Sequence, residues 1–277
     1  SGNTLTGDFI YSLGSPGAVA VGLNNPSPNT KVTRTYMYSL TSAAITFNGS
    51  NYSTLSLSTA VSDDAGNSAA MNFTNGSSNN IVTQSYFSNP AGPAVKFESG
   101  TAFNMISQST ITSDSAVFPA LYMGGCSSNT LLDSYVQGST AVYISGSTGT
   151  IIGGSFLVAT SATGSGIHID SGNVNLTLTS STFKGGAQGA GLYMMRNNSG
   201  FITLTSNTII GGFKGVSIAT MTCGLCNGNL SITSMTFSGG LTSGATAIHF
   251  VGGTFTSTFT TVGFNDSLIA INVNGIY

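Results

Sequence analysis

A four-residue pattern of small, apolar, any, apolar returns along the whole chain. It appears first at Ala18-Val-Ala-Val21, then at Ala44-Ile-Thr-Phe47, Ala70-Met-Asn-Phe73 and Ala94-Val-Lys-Phe97. It continues through Ala120-Leu-Tyr-Met123, Ala141-Val-Tyr-Ile144, Gly166-Ile-His-Ile169 and Gly191-Leu-Tyr-Met194, and ends at Ala270-Ile-Asn-Val273. Successive copies lie 21 to 32 residues apart. The two apolar positions define inward columns, one from Val19 to Ile271 and one from Val21 to Val273. A second apolar anchor precedes each copy, among them Met37, Val61, Phe87, Ile111, Phe156, Phe183 and Phe237. Segments ahead of the anchors alternate, as in Leu176-Thr-Leu178 and Ile202-Thr-Leu204. Alternation of period two predicts strands with one buried face. A repeat of this length cannot bury its apolar side chains alone. Stacked on its neighbours, it closes a continuous core.

Composition narrows the class. Of 277 residues only 5% are charged, against about 25% in ordinary soluble domains. Six Lys and Arg, dispersed, exclude nucleic-acid binding and a polybasic membrane patch. No apolar run reaches the length of a membrane span, so membrane insertion is not expected. An apolar fraction of 40% is sufficient for a core. Ser, Thr, Asn and 37 Gly suit turns and stacked strands rather than helices. The period crosses every turn-rich stretch, so residues 1–277 read as a single domain.

At Asn175-Leu-Thr-Leu-Thr-Ser-Ser-Thr-Phe183, the spacing N-x-L-x-x-S/N-x-F followed by G-hydrophobic-x-hydrophobic resembles right-handed parallel β-helix repeats. These occur in the pectin-lyase-like superfamily, in pectate lyases, polygalacturonases, phage tailspikes and bacterial surface adhesins. The resemblance implies an all-β, right-handed parallel β-helix of about eleven coils. It leaves function open, because this scaffold hosts many.

Hydrolysis on such a scaffold needs carboxylates about 5–9.5 Å apart on one face. The eight acids fall mostly in turns of different coils, and Asp63-Asp64 reads as a solvated turn. Of the polygalacturonase motifs NTD, DD, GHG and RIK, only DD is present. A calcium cluster with a basic catalyst, as the lyases use, has no counterpart. The chain is therefore expected to be non-enzymatic and without a cofactor or metal, with polysaccharide hydrolysis or lysis as the alternative.

The outward residues of the repeated tetrapeptide include Tyr122, Tyr143, His168 and Tyr193 in consecutive coils. Such a ladder stacks on sugar rings, packs against another subunit, or merely stabilises its own sheet. His168 and Asp170 fall on one outward face and are spaced to hydrogen-bond. Cys223-Gly-Leu-Cys226 lies in the one over-long spacing, and a local disulfide tying that loop is expected; Cys126 stays odd. Asn-x-Ser/Thr triplets permit glycosylation without requiring it. Thr-x-Thr at Thr33, Thr177 and Thr203 suggests an ice-binding array, but no common outward face in successive coils is evident for it.

The chain opens Ser-Gly-Asn-Thr, so a leader has been removed or the sequence is a piece of a longer chain. Neither end shows a polar cap, so further chain or another copy is expected to cover it. The reading is an extracellular or cell-surface structural protein, self-associating head to tail or laterally in a fibre, appendage or adhesin. The alternative is a tailspike-like module that binds or cleaves surface glycans.

Overall fold

The computed structural model describes residues 2–14, 17–25, 28–66, 68–195, 198–218, 228–251, 256–260, 263–264 and 269–274. All its regular elements are strands, and every register pairing between them is parallel. The chain divides into two compact units, Ser1–Ser139 and Thr140–Tyr277.

In the first unit a coil carries three short strands. Lys31–Thr33, Tyr36–Ser39 and Ile45–Asn48 make one coil, and Thr54–Ser56, Thr59–Ser62 and Met71–Thr74 make the next. Each strand pairs with its counterpart one coil on: Val32 with Leu55, Met37 with Ala60, Ile45 with Met71. Strands this short hold no stable sheet alone, so the stacking supplies their partners.

The corner between first and second strands is built by sequence-local chemistry. Arg34, Leu57, Gln84, Gln108 and Asp133 all adopt φ between 47° and 51°. The left-handed turn costs a non-glycine residue roughly 1–2 kcal/mol. The residue after each corner is a buried hydroxyl, and it offsets that cost. The Thr35 amide donates to Ser58 Oγ at 3.1 Å, Ser58 to Ser85 at 3.2 Å, Ser85 to Ser109 at 3.2 Å and Ser109 to Ser134 at 3.1 Å. Otherwise each corner would bury an unpaired N–H. Before the first strand, Asn80, Asn104 and Asn129 form a second column. Asn80 donates its amide to Asn104 Oδ1 at 2.9 Å, and Asn104 to Asn129 at 3.1 Å.

The core runs inside these columns. Phe47 and Phe73 stack at 4.7 Å, and Phe73 and Phe97 at 4.5 Å with planes 1° apart. Val32, Leu55, Val82, Ile106 and Leu131 are buried beneath the first strands. The second unit repeats the plan, with Leu178, Leu204 and Ile232 beneath its first strands and an Asn173–Asn198 amide bond of 2.9 Å at its turn.

Three expected core positions move. Val21 pairs with Ile45 and Leu23 with Phe47, so the first copy of the repeat starts two residues later, at Ala20. Ala20-Val-Gly-Leu23 fits the same small-apolar-x-apolar pattern, and pairing decides between the two phases; Val19 is 38% exposed. Ala60 rather than Val61 faces Met37 and Phe87, and Leu157 rather than Phe156 pairs with Phe183. Both places have two adjacent apolar residues, where a shift of one exchanges the faces.

Candidate functional site

Alternation aims the ladder residues outward. In the second unit, Val142–Ser145, Ile167–Ile169 and Ala190–Met194 pair in register, Tyr143 with His168 and His168 with Tyr193. Their flanking residues Val142, Ile144, Ile167, Ile169, Leu192 and Met194 are fully buried, so the residue between each pair faces out. Ring centroids lie 4.8 Å apart for Tyr143 and His168, and 4.9 Å for His168 and Tyr193, the latter edge to face at 82°. This is the arrangement that ring quadrupoles favour.

Tyr122 belongs to the first unit, on the strand Leu121–Gly124. Lys96 Nζ sits 5.9 Å from its ring centroid and also pairs with Glu98 at 3.2 Å. Asp170 accepts hydrogen bonds from the Tyr143 hydroxyl and the Ser171 amide, so its carboxylate is committed to them rather than to His168. His168 Nε2 is buried and has no partner among the described residues. Burial pushes the imidazole below its usual range, and nearby Asp170 opposes this.

Beside the ladder opens a cleft of about 330 Å³, lined by Thr140, Thr163, Ser165, His168, Gln188, Gly189, Ala190, Tyr193, Phe213, Lys214 and Ser217. Phe213 is 43% exposed and presents an apolar face. Gln188 supplies a two-way amide, and Lys214 a cation that also helps depress His249, after burial itself. No carboxylate lines this cleft. His168, Tyr193 and Ser217 of its wall were legible as an outward column. Gln188 and Phe213 were not: Gln188 sits in a turn, and Phe213 on the strand Thr208–Ile218 where the register shifts between Gly212 and Lys214.

Three of the acids elsewhere have structural partners. Asp63 accepts from the Tyr38 hydroxyl at 2.6 Å, and Asp64 from the Gly66 amide at 3.0 Å. Glu98 accepts from Thr74 at 2.8 Å. Among the described residues no group of three or more His, Cys, Asp or Glu is placed to hold a metal. Cys223 and Cys226 lie outside the described residues; Cys126 is buried.

One expectation is overturned. Threonines do recur on a common outward face, that of the first strands. In the second unit Thr177 pairs with Thr203 and Thr203 with Ser231, while Thr179 pairs with Thr205 and Thr205 with Thr233. The next strand continues the register, Ser231 with Thr258 and Thr233 with Thr260. Thr33, in addition, belongs to Lys31-Val-Thr33: Arg34 turns the corner and Thr35 is buried, so Thr33-Arg-Thr35 is not an outward pair.

Residues 73–237, more than half of the chain, match the family described as right handed beta helix region. The chain belongs to the right-handed β-helix family. No curated protein matches it by sequence. Solved β-helices resemble it in fold at low identity. The A-module of the Azotobacter vinelandii mannuronan C-5 epimerase AlgE6 superposes with a TM-score of 0.67 at 11% identity, covering 99% of this chain and 88% of that one. The surface adhesin PfbA of Streptococcus pneumoniae gives 0.58 at 10%, covering 98% and 85%. A mutant tailspike of E. coli bacteriophage HK620, solved with a hexasaccharide, gives 0.60 at 13%, covering 90% and 50%. These β-helices include an enzyme and an adhesin, so fold likeness alone assigns no activity.

Proposed function

We propose that this β-helix works outside the cell as a non-enzymatic glycan-binding module, with its ligand in the cleft beside His168 and Tyr193. One observation carries the reading. Aromatic faces, an amide, hydroxyls and a single amine converge on one concave surface. Sugars present apolar ring faces and hydroxyl edges, which match aromatic and amide groups respectively. No carboxylate in the lining can serve as one of the paired acids that glycoside hydrolysis uses. The tailspike solved with a hexasaccharide and the adhesin in the same fold support an extracellular, glycan-facing setting. The test is titration calorimetry against alginate, pectin and O-antigen oligosaccharides. Binding lost in Tyr193→Ala and Phe213→Ala supports the reading. Absence of binding to every glycan, or release of new chain ends, counts against it.

A second reading, self-association into a fibre, rests on a different surface. Phe9, Tyr11 and Leu13 are 76%, 58% and 66% exposed, and Tyr36 packs against Phe9 and Tyr11 at 6.1 and 5.8 Å. Exposed apolar clusters of this kind are common at contacts between subunits. Electron microscopy of the wild type and of a Phe9→Lys, Tyr11→Lys variant separates the two: filaments in the first only would favour the fibre.

A further inference from the structure

We propose that the outward face of the first strands in the second unit is an ice-binding surface, a lattice of threonine hydroxyls and methyls that adsorbs to crystalline water.

The argument starts from register. After Ile151 and Gly153, Thr177, Thr203 and Ser231 stand opposite one another in successive strands, and so do Thr179, Thr205 and Thr233. Strands lie about 4.8 Å apart and same-face residues about 6.6 Å apart along a strand, so the two columns make a two-dimensional grid. Both repeats are close to spacings between oxygens in the layers of ice. Leu176, Leu178, Ile202, Leu204 and Ile232 are buried beneath the grid, which fixes the Thr and Ser between them on the outer face.

The chemistry of the grid suits frozen water better than a discrete ligand. The segments Val174–Thr179, Ser199–Thr205, Gly228–Thr233 and Thr256–Thr260 contain no charged residue. A charge would organise its own hydration shell, which does not fit a neutral lattice. Threonine is β-branched and stiff at χ1, so hydroxyl and methyl positions are set before any contact. Little side-chain entropy is then lost on adsorption. No aromatic residue lies within the two columns, and Phe201, 65% exposed, stands one position outside them. A sugar chain or a peptide would be held by rings, pockets or charges. What this surface offers is repetition in two directions, with a hydroxyl at each point and a methyl at every point but Ser231.

The experiment uses the full chain with a fluorescent label, partitioned between growing ice and solution, with thermal hysteresis as a second measurement. Enrichment in ice is expected for the wild type and loss of it for Thr203→Lys and for Thr205→Lys. Thr83→Lys, on the first unit, and His168→Ala, in the cleft, should retain it. Circular dichroism melting establishes that each variant is folded. Should a lysine disturb the strand, Thr203→Val with Thr205→Val keeps the β-branched shape, removes the hydroxyls and should reduce both signals. Exclusion of the wild type from ice to the level of a non-binding protein would overturn the proposal, as would wild-type behaviour of the folded Thr203 and Thr205 variants. A concentration-dependent dimer abolished by Thr205→Lys would overturn it too, by giving the face to a second copy.

Discussion

The first strands of the two units share one backbone plan and differ in what they show to solvent. In the first unit the outer columns read Thr4, Lys31, Thr54, Ile81, Met105, Thr130 and Thr6, Thr33, Ser56, Thr83, Ser107, Leu132. One column carries hydroxyls in five successive strands before Leu132 ends the run, with Ser56 donating to Thr33 at 3.1 Å and Ser107 to Thr83 at 3.2 Å. The other is interrupted by a cation and two large apolar side chains. In the second unit the columns begin with Ile151 and Gly153, and both then carry hydroxyls in three successive strands, Thr177 and Thr179, Thr203 and Thr205, Ser231 and Thr233. The inner faces are equally apolar. Stability therefore does not require the regular outer lattice, since the first unit does without it. On the proposal above, the paired columns of the second unit answer to something outside the chain, and the comparison can be broken or sharpened by experiment.

The largest effect should come from below the two faces. Leu204→Asp and Ile106→Asp each place an uncompensated charge in a dry core, at a cost of about 3–5 kcal/mol. Denaturant unfolding should show comparable losses for both, because burial is the same although the outer faces differ. A small loss at either position would contradict the assigned columns. Next in size are the asparagine columns. Asn104→Ala and Asn173→Ala each remove amide bonds that satisfy buried backbone groups, at about 1–3 kcal/mol. Hydrogen exchange should quicken at the amides of Asn80 and Ser147, which donate to Asn104 and Asn173 at 3.1 and 2.9 Å.

A smaller gain is expected from making the first unit resemble the second. Lys31→Thr, Ile81→Thr and Met105→Thr together complete its interrupted column. On a Thr205→Lys background this should restore part of the enrichment in ice. No restoration would mean that the regular columns are not sufficient.

The smallest effects are in pH. His168 titrates below the usual imidazole range because it is buried. On acidification the unfolded chain takes up this proton first, near pH 6.5. The second unit should therefore lose stability as pH falls from about 6.5 toward the native value. Tyr38 is pushed up to about 12, first by its hydrogen bond to Asp63, then by burial. Its unfolded form ionises first, near pH 10, so the first unit should weaken as pH rises from there toward 12. Thermal melts across both windows check the signs. His168→Gln and Tyr38→Phe should flatten the respective slopes.

The fold was largely legible, and the site only partly. Ile45, Met71, Val95 and Leu121 stand in one column as their spacing required, and Tyr143, His168 and Tyr193 form the ladder that alternation implied. The slips at Val19, Val61 and Phe156 came where two apolar phases fitted equally well. The threonine columns are not legible in the sequence for a related reason. Whether two Thr-x-Thr segments 26 residues apart share a face depends on how many residues the intervening turns consume. Gln188 reached the cleft from a turn and Phe213 from a register shift within Thr208–Ile218, neither of which sequence period reports.

What the sequence determined by itself is the repeat, the inward columns and the charge-poor surface, because periodic burial imprints itself on residue type. What only the tertiary structure decided is which outward residues become neighbours. That depends on inter-coil pairing, where a shift of one residue exchanges inside for outside, and on left-handed corners such as Arg34 that end one strand and begin the next.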